Sequence, residues 1–288
     1  LGVVQMKTRN IVLLSFMRMF ILLLQLLLIV FIFMEVSFRI SENNSFVWSP
    51  NYEQIDIRSL LSKEELSDED YKTLYEQTGL TKIGIDRTLE HGELGRSRVL
   101  TIQKNYFKEH TFYSTEFGLW MCTDYIKEYV RNTYLEDGDI IVTASTHLGS
   151  IRIGHAALVV DGENEEILEA AAYGETSSIA TVDGFNNRIN FLVLRPKASK
   201  ELKNEVVNYA KNSLVDIPYS AFSSSFTDSI RKTQCAHIVW YAYHKFDFEL
   251  LKNDKLIVLP YDLASSEKVE VVQTFGFDPN VLWDSLYK

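Results

Sequence analysis

The chain predicts an α+β domain behind an N-terminal membrane helix. Three observations predict it. Ile11–Met34 is almost wholly apolar, broken by Ser15, Arg18 and Gln25. Residues 155–171 follow a strand–turn–strand pattern. Helix-periodic stretches then flank the strands at 199–214 and 234–246, so strands clustered between helices point to α+β. With 288 residues, 46% hydrophobic and 12% aromatic, the chain supports a packed core. Its net charge of -10 argues against nucleic acid as a partner. Two cysteines, Cys122 and Cys235, rule out a disulfide scaffold and a Cys-rich zinc site. They leave at most one disulfide, or a thiol nucleophile.

As a helix, residues 11–34 would be about 36 Å long, enough to cross a bilayer with tilt. Lys7 and Arg9 precede the run and place that end in the cytoplasm. Met6-Lys7 resembles a translation start. A cleaved signal needs a shorter apolar region and a small-residue cleavage site. Met34-Glu35-Val36-Ser37-Phe38-Arg39 offers no such site. Residues 1–39 are therefore expected to be a cytoplasmic tip and single-pass anchor in a bacterial cell membrane, with the remainder outside the cytoplasm. The alternative is secretion after cleavage.

Residues 40–130 are expected to be a spacer and a helical region of unknown role. Ser41-Glu42-Asn43-Asn44-Ser45 opens a polar spacer to about residue 55. Residues 58–78 look helical, with Ser62 and Ser67 as N-caps before acidic residues. Residues 80–110 carry no clear pattern. Residues 117–134 have helical spacing through Cys122, Tyr125 and Tyr129.

Residues 131–288 form the expected functional domain. Asp137-Gly138-Asp139 is a turn before strand Ile140-Ile141-Val142. His155–Val160 and Glu166–Ala171 are strands around the 161–165 turn. Phe191–Arg195 is a strand ended by Pro196, and Val269–Val272 a further edge strand.

Cys235 stands where the apolar stripe of the 234–246 helix begins. A helix N-terminus favours a thiolate. A base must accompany it. His155 opens a strand directly after Gly154, whereas His237 is two positions from Cys235 and faces elsewhere. Glu169 interrupts an apolar strand. With a five-residue turn at 161–165, Ala157 pairs with Glu169 and His155 with Ala171. His155 and Glu169 are then diagonal neighbours on one face.

The ordered set Asp137–Ile141, Gly154–Val160, Ile167–Ala170 and Cys235 ahead of Val239-Trp240-Tyr241-Ala242-Tyr243 resembles the permuted papain-like hydrolases of the NlpC/P60 superfamily, in the YiiX/YaeF and YycO-like group. Pro218-Tyr219 and Leu259–Leu263 extend the likeness, which spans roughly residues 135–275. Gln234 and Ala236 depart from the residues usual beside the nucleophile. The resemblance implies a circularly permuted papain-like fold, Cys235 as nucleophile, His155 as base and Glu169 as orienting acid. It implies a cell-wall peptide or a lipid-like amide or ester as substrate, without cofactor or metal. Tyr219 and Gln234 are candidate pocket residues. Two other readings remain at this level: a non-catalytic cell-surface binding module, and a Cys122–Cys235 thiol switch.

Overall fold

The structure is a computed structural model and describes residues 2–44, 47–118, 120–226 and 229–278. It is mixed α/β with an N-terminal apolar helix. Helix α1 runs Gly2–Asn44. Four helices follow: α2 (Arg58–Leu61), α3 (Asp68–Thr78), α4 (Lys82–Leu89) and α5 (Gly92–Tyr106). Strands β1 (Phe112–Gly118), β2 (Met121–Ile126), β3 (Ile140–Thr143), β4 (Thr146–Leu148) and β5 (Ile151–Arg152) come next. The chain continues through β6 (His155–Asp161), β7 (Glu166–Glu169), β8 (Ser178–Thr181), α6 (Asp183–Asn186) and β9 (Phe191–Pro196). It closes with α7 (Lys200–Ser213), α8 (Cys235–His244), α9 (Pro260–Ala264) and β10 (Val269–Phe275).

Helix α1 contains one span, Leu13–Ile40, long and apolar enough to cross a membrane, and its most apolar stretch is not buried inside the protein. An apolar stretch left uncovered by protein is better solvated by another apolar medium than by water, which is the physical case for a bilayer.

A six-stranded antiparallel sheet, ordered β10-β9-β3-β6-β7-β8, is the centre of the domain. The strand alternation divides its side chains between two cores. Ile140, Val142, Ala156, Leu158 and Leu194 pack with α7 and α8. Ile141, Ala157, Val159, Ile167 and Val193 face Tyr106, Ile126 and Val130. Both faces are covered, so the central strands are continuous apolar runs rather than alternating ones. Helix α8 is buried at every position from Cys235 to Tyr243. That all-round burial explains why its sequence is apolar on every side.

The turn before β3 is fixed by a buried ion-pair network. Arg195 of β9 forks onto Asp139, with both hydrogen bonds at 2.9 Å. Its other terminal nitrogen lies 3.0 Å from Glu136, which Lys203 also meets at 3.1 Å. Asp139 is fully buried, and the fork supplies the partners that a carboxylate out of water requires.

Several expectations change in three dimensions. Residues 117–134 are not helical. They supply the end of β1 and all of β2, because Met121, Cys122 and Thr123 pair with Leu148, His147 and Thr146. The Tyr/Cys spacing that imitates a helix belongs to a strand with both faces occupied. Residues 58–78 form two helices rather than one. Ser67 caps α3 in a reciprocal box with Asp70, whereas Ser62 ends α2. Residues 47–57 do not stand off as a spacer: Trp48 packs on Tyr106 at 5.5 Å and Ile57 is buried. The 80–110 stretch becomes α4 and α5.

The N-terminal helices pack around a core of their own, with Leu74, Leu80, Ile85 and Val99 in it, and lock onto the β10 edge of the sheet. Gly79 takes φ 70° at the end of α3, its carbonyl accepts from Thr274 N at 2.8 Å, and Thr81 N bonds Val272 O. A Cβ on Gly79 would stand 2.1 Å from Thr274 O. Gly79→Ala therefore combines a left-handed backbone with a backbone clash. We expect a loss of about 1–3 kcal/mol, measured as a lowered denaturation midpoint.

Candidate active site

Three separate segments meet at one end of the central sheet. Gln234 is the N-cap of α8, and its Oε1 accepts from Ala236 N at 2.8 Å, which sets Cys235 as the first helical residue. His155 opens β6 and pairs with Thr143 of β3. Gly154, at φ 72°, lets the chain turn into that strand, where a Cβ would stand 2.5 Å from Thr143 O. Glu169 ends β7 and pairs with Ser178.

The β6–β7 register brings the acid to the imidazole. Leu158 pairs with Leu168 and Val159 with Ile167. Continuing that register sets Ala157 opposite Glu169. A bulge near the turn pairs Asp161 with Glu166, so the one-residue irregularity is absorbed away from the site. His155 Nε2 and Glu169 Oε2 are 2.6 Å apart, a charge-assisted distance. Helix α8 packs against β6, and the Cys235 sulfur acts electrostatically on the same imidazole, while its own hydrogen bond runs to Gln234 Oε1 at 3.3 Å. Phe185 of α6 stacks on the His155 ring at 5.4 Å and 20°, holding its plane.

The electrostatics favour a charged imidazole. Burial alone would lower the His155 pKa, but Cys235 and Glu169 outweigh it and raise it to about 9. Burial would raise Glu169, yet the His155 bond holds its carboxyl below the usual range. Because the folded pKa of His155 lies above the ordinary 6.5, its stabilising contribution is complete below pH 6.5 and is lost as pH rises through about 9.

The candidate pocket residues take different places. Tyr219 lies beside Cys235; burial, then the electrostatic effect of the Cys235 side chain, pushes its phenol up to about 12. Its segment is pinned at both ends: Tyr219 N donates to Glu175 O at 3.0 Å, and Thr233 N to Pro218 O at 3.0 Å. Gln234 is buried and committed. Its Oε1 accepts from Ala236 N and from the Cys235 thiol at 3.3 Å, and its Nε2 donates to Val258 O. Gln234 therefore positions Cys235 rather than lining open space.

His237 is away from the imidazole partner, bonded to Thr233 Oγ1 at 2.9 Å, and burial lowers it to about 4. Cys122 and Cys235 are both buried and are not joined by a disulfide. Among the described residues, no cluster of three or more His, Cys, Asp or Glu is arranged to hold a metal.

The sequence reasoning missed Arg188. Its guanidinium acts electrostatically on both Glu169 and Cys235. It is held by Thr146 Oγ1 at 3.0 Å, Ser145 Oγ at 3.2 Å and Gly184 O at 2.9 Å. It also lies over the Phe185 and Tyr125 rings. A single Arg in Asn186-Asn187-Arg188 carries no local signal, since only the fold brings it near the thiol.

The site is thus a thiol at a helix start, an imidazole near it, a carboxylate bonded to the imidazole and a guanidinium alongside. Such a set can generate a nucleophilic thiolate and move a proton at one ring nitrogen. No protein-family model, curated protein or solved structure matches the chain.

Glu169→Gln removes the charge that supports the imidazolium. The pH midpoint for alkylation of Cys235 by iodoacetamide should move up by about one unit, the lower end of the effect of an opposite charge at contact distance. The pH–rate profile of alkylation, followed by mass of the modified peptide, measures it.

Proposed function

We propose that this chain is a membrane-tethered cysteine hydrolase that cleaves an amide or ester, on a permuted papain-like domain of the NlpC/P60 type. The observation that carries the reading is the His155–Glu169 pair at 2.6 Å with the Cys235 sulfur acting on the same imidazole, the histidine strand coming before the cysteine helix in the chain. The inverted order matches the resemblance noted in the sequence. The uncovered apolar stretch of α1 supports a single-pass anchor, and Lys7 and Arg9 support a domain outside the cytoplasm.

In this reading His155, bonded to Glu169, takes the thiol proton, and the Cys235 thiolate attacks the substrate carbonyl carbon. The C=O electron pair moves onto oxygen, where the Cys235 backbone N–H at the start of α8 would face it. Collapse of that intermediate breaks the C–N or C–O bond. The leaving amine or alcohol receives its proton from His155, leaving an acyl-thioester. Water then gives a proton to His155, attacks the thioester and releases the acid, and the thiolate leaves. Arg188 favours the thiolate and Tyr219 flanks it.

Of the two substrate classes, a lipid-like amide or ester is favoured over a cell-wall peptide. The loops flanking the start of α8 carry Phe222, Phe226 and Leu256 at 82%, 62% and 75% exposure. Those loops are tied together by Ser225 N to Lys255 O at 3.0 Å and to Gln234 through Val258. Exposed apolar side chains on loops tied to the start of α8 suit an acyl chain better than a polar peptide.

Cys235→Ala should reduce hydrolysis of short acyl amides and esters to background with the melting temperature nearly unchanged. Cys122→Ala should keep most of the activity. Glu169→Gln should lower kcat by about 10-fold or more with little change in KM. Equal activity in Cys235→Ala and the native chain would reject the hydrolase. A chain that binds acyl ligands but turns none over would be the binding module.

A further inference from the structure

Helix α1 does not leave the domain as a loose tether. Its residues 31–38 lie against the small sheet ordered β1-β2-β4-β5. Phe31 meets the Trp120 ring edge-on at 5.3 Å, and the Trp120 indole N–H donates to Glu35 at 3.3 Å. Ser150 N donates to Ser37 Oγ at 2.9 Å, and Ser37 Oγ donates to Ser150 Oγ at 2.7 Å. Phe38 is buried and stacked on His147. Two turns, Gly118–Met121 and Leu148–Ile151, therefore hold the helix.

These contacts fall inside the apolar span Leu13–Ile40. Phe31 lies nine residues before the end of that span, about 13 Å along the helix axis. A domain edge touching residue 31 cannot stand clear of a bilayer crossed by that helix. The polar boundary is marked on α1 itself by the Glu35–Arg39 pair at 3.1 Å. Trp120 straddles it, with its N–H on Glu35 and its ring on Phe31, one helical turn deeper. That is the arrangement an indole takes at a membrane interface. Trp120 holds φ 59°, an uncommon backbone for a bulky residue. Ile151 is 60% exposed in the neighbouring turn. In the β1–β2 turn Trp120 takes the left-handed conformation that Gly, Asn or Asp usually supplies in a turn facing water.

We propose that the β1–β2 and β4–β5 turns are a second membrane contact, with Trp120 and Ile151 seated at the headgroup–hydrocarbon boundary and α1 acting as a rigid stalk. The inference rests on α1 crossing a bilayer. It also deepens the functional reading. His155 follows Ile151 by four residues, at most about 14 Å of extended chain. The thiol centre then lies close to the leaflet surface, within reach of a substrate held in it.

The test uses the full chain in phosphatidylcholine–phosphatidylglycerol vesicles whose acyl chains carry bromine near the headgroup end. Flotation after an alkaline wash first reports whether α1 is inserted. Tryptophan fluorescence of the native chain should be quenched by the brominated lipid, and Trp120→Phe should lose most of that quenching. As a second measure, Ile151→Cys in the Cys235→Ala background, labelled with an environment-sensitive dye, should emit as in an apolar medium. Equal quenching in Trp120→Phe, or water-like emission from position 151, in chains that float would overturn the docking while leaving the anchor standing. Failure to float would remove the anchor and this contact together.

Discussion

The β6–β7 register is the constraint on which the site depends. Strand side chains alternate with period two, so a one-residue slip would carry Glu169 to the opposite face from His155. Three features hold the register. Leu158 and Leu168 meet within the core shared with α8, Val159 and Ile167 within the opposite one, and the bulge at Asp161 takes up the odd residue before it reaches the site. A slip would carry each apolar set into the opposite core and disrupt the packing of both at once. The burial that stabilises the sheet therefore also specifies the 2.6 Å contact between Nε2 and the carboxylate.

The third group comes from a different physical source. Cys235 is placed by the start of α8, which is set by its capping glutamine and by the burial of the whole helix between sheet and loops. Gly154 and Pro260 join the two parts. A Cβ at Gly154 would meet Thr143 O and the Pro260 ring, so α9 packs close against the entry to β6. The polar groups of the site have partners: the imidazole the acid, the thiol Gln234, Arg188 two hydroxyls and a carbonyl, and Gln234 two backbone groups. A half-buried set with every member bonded keeps one geometry.

The same logic extends toward the anchor. Asp124 is buried on β2 and binds Arg152 of β5 at 2.6 Å, with Ser114 and His147 completing its partners. Those interactions make the small sheet rigid where α1 rests on it. From β5 the chain runs directly through Gly154 to His155. Helix α1, the small sheet and the thiol centre are thus connected by packing and a short run of chain rather than by a loose linker.

Much of this was legible in the residues themselves. The apolar run, the strands at 140–142, 155–160 and 191–195, and the helices at 199–214 and 234–246 are local patterns, and burial period identifies them without tertiary information. The pairing of His155 with Glu169 was also accessible, because a hairpin with a countable turn brings its own distant residues together. What failed was what depends on non-local partners. The 117–134 stretch has spacing compatible with a helix and became strand only through β4. Residues 47–57 looked polar and were drawn in by Tyr106 and the α3–α5 helices. Arg188 had no signal at all, since its role comes from a fold that sets it beside two groups 19 and 47 positions away. Local chemistry decided which segments are helix, strand and apolar span. Only the packing of those segments decided that a carboxylate, an imidazole, a thiol and a guanidinium share one place, because their proximity is paid for by burial elsewhere in the sheet.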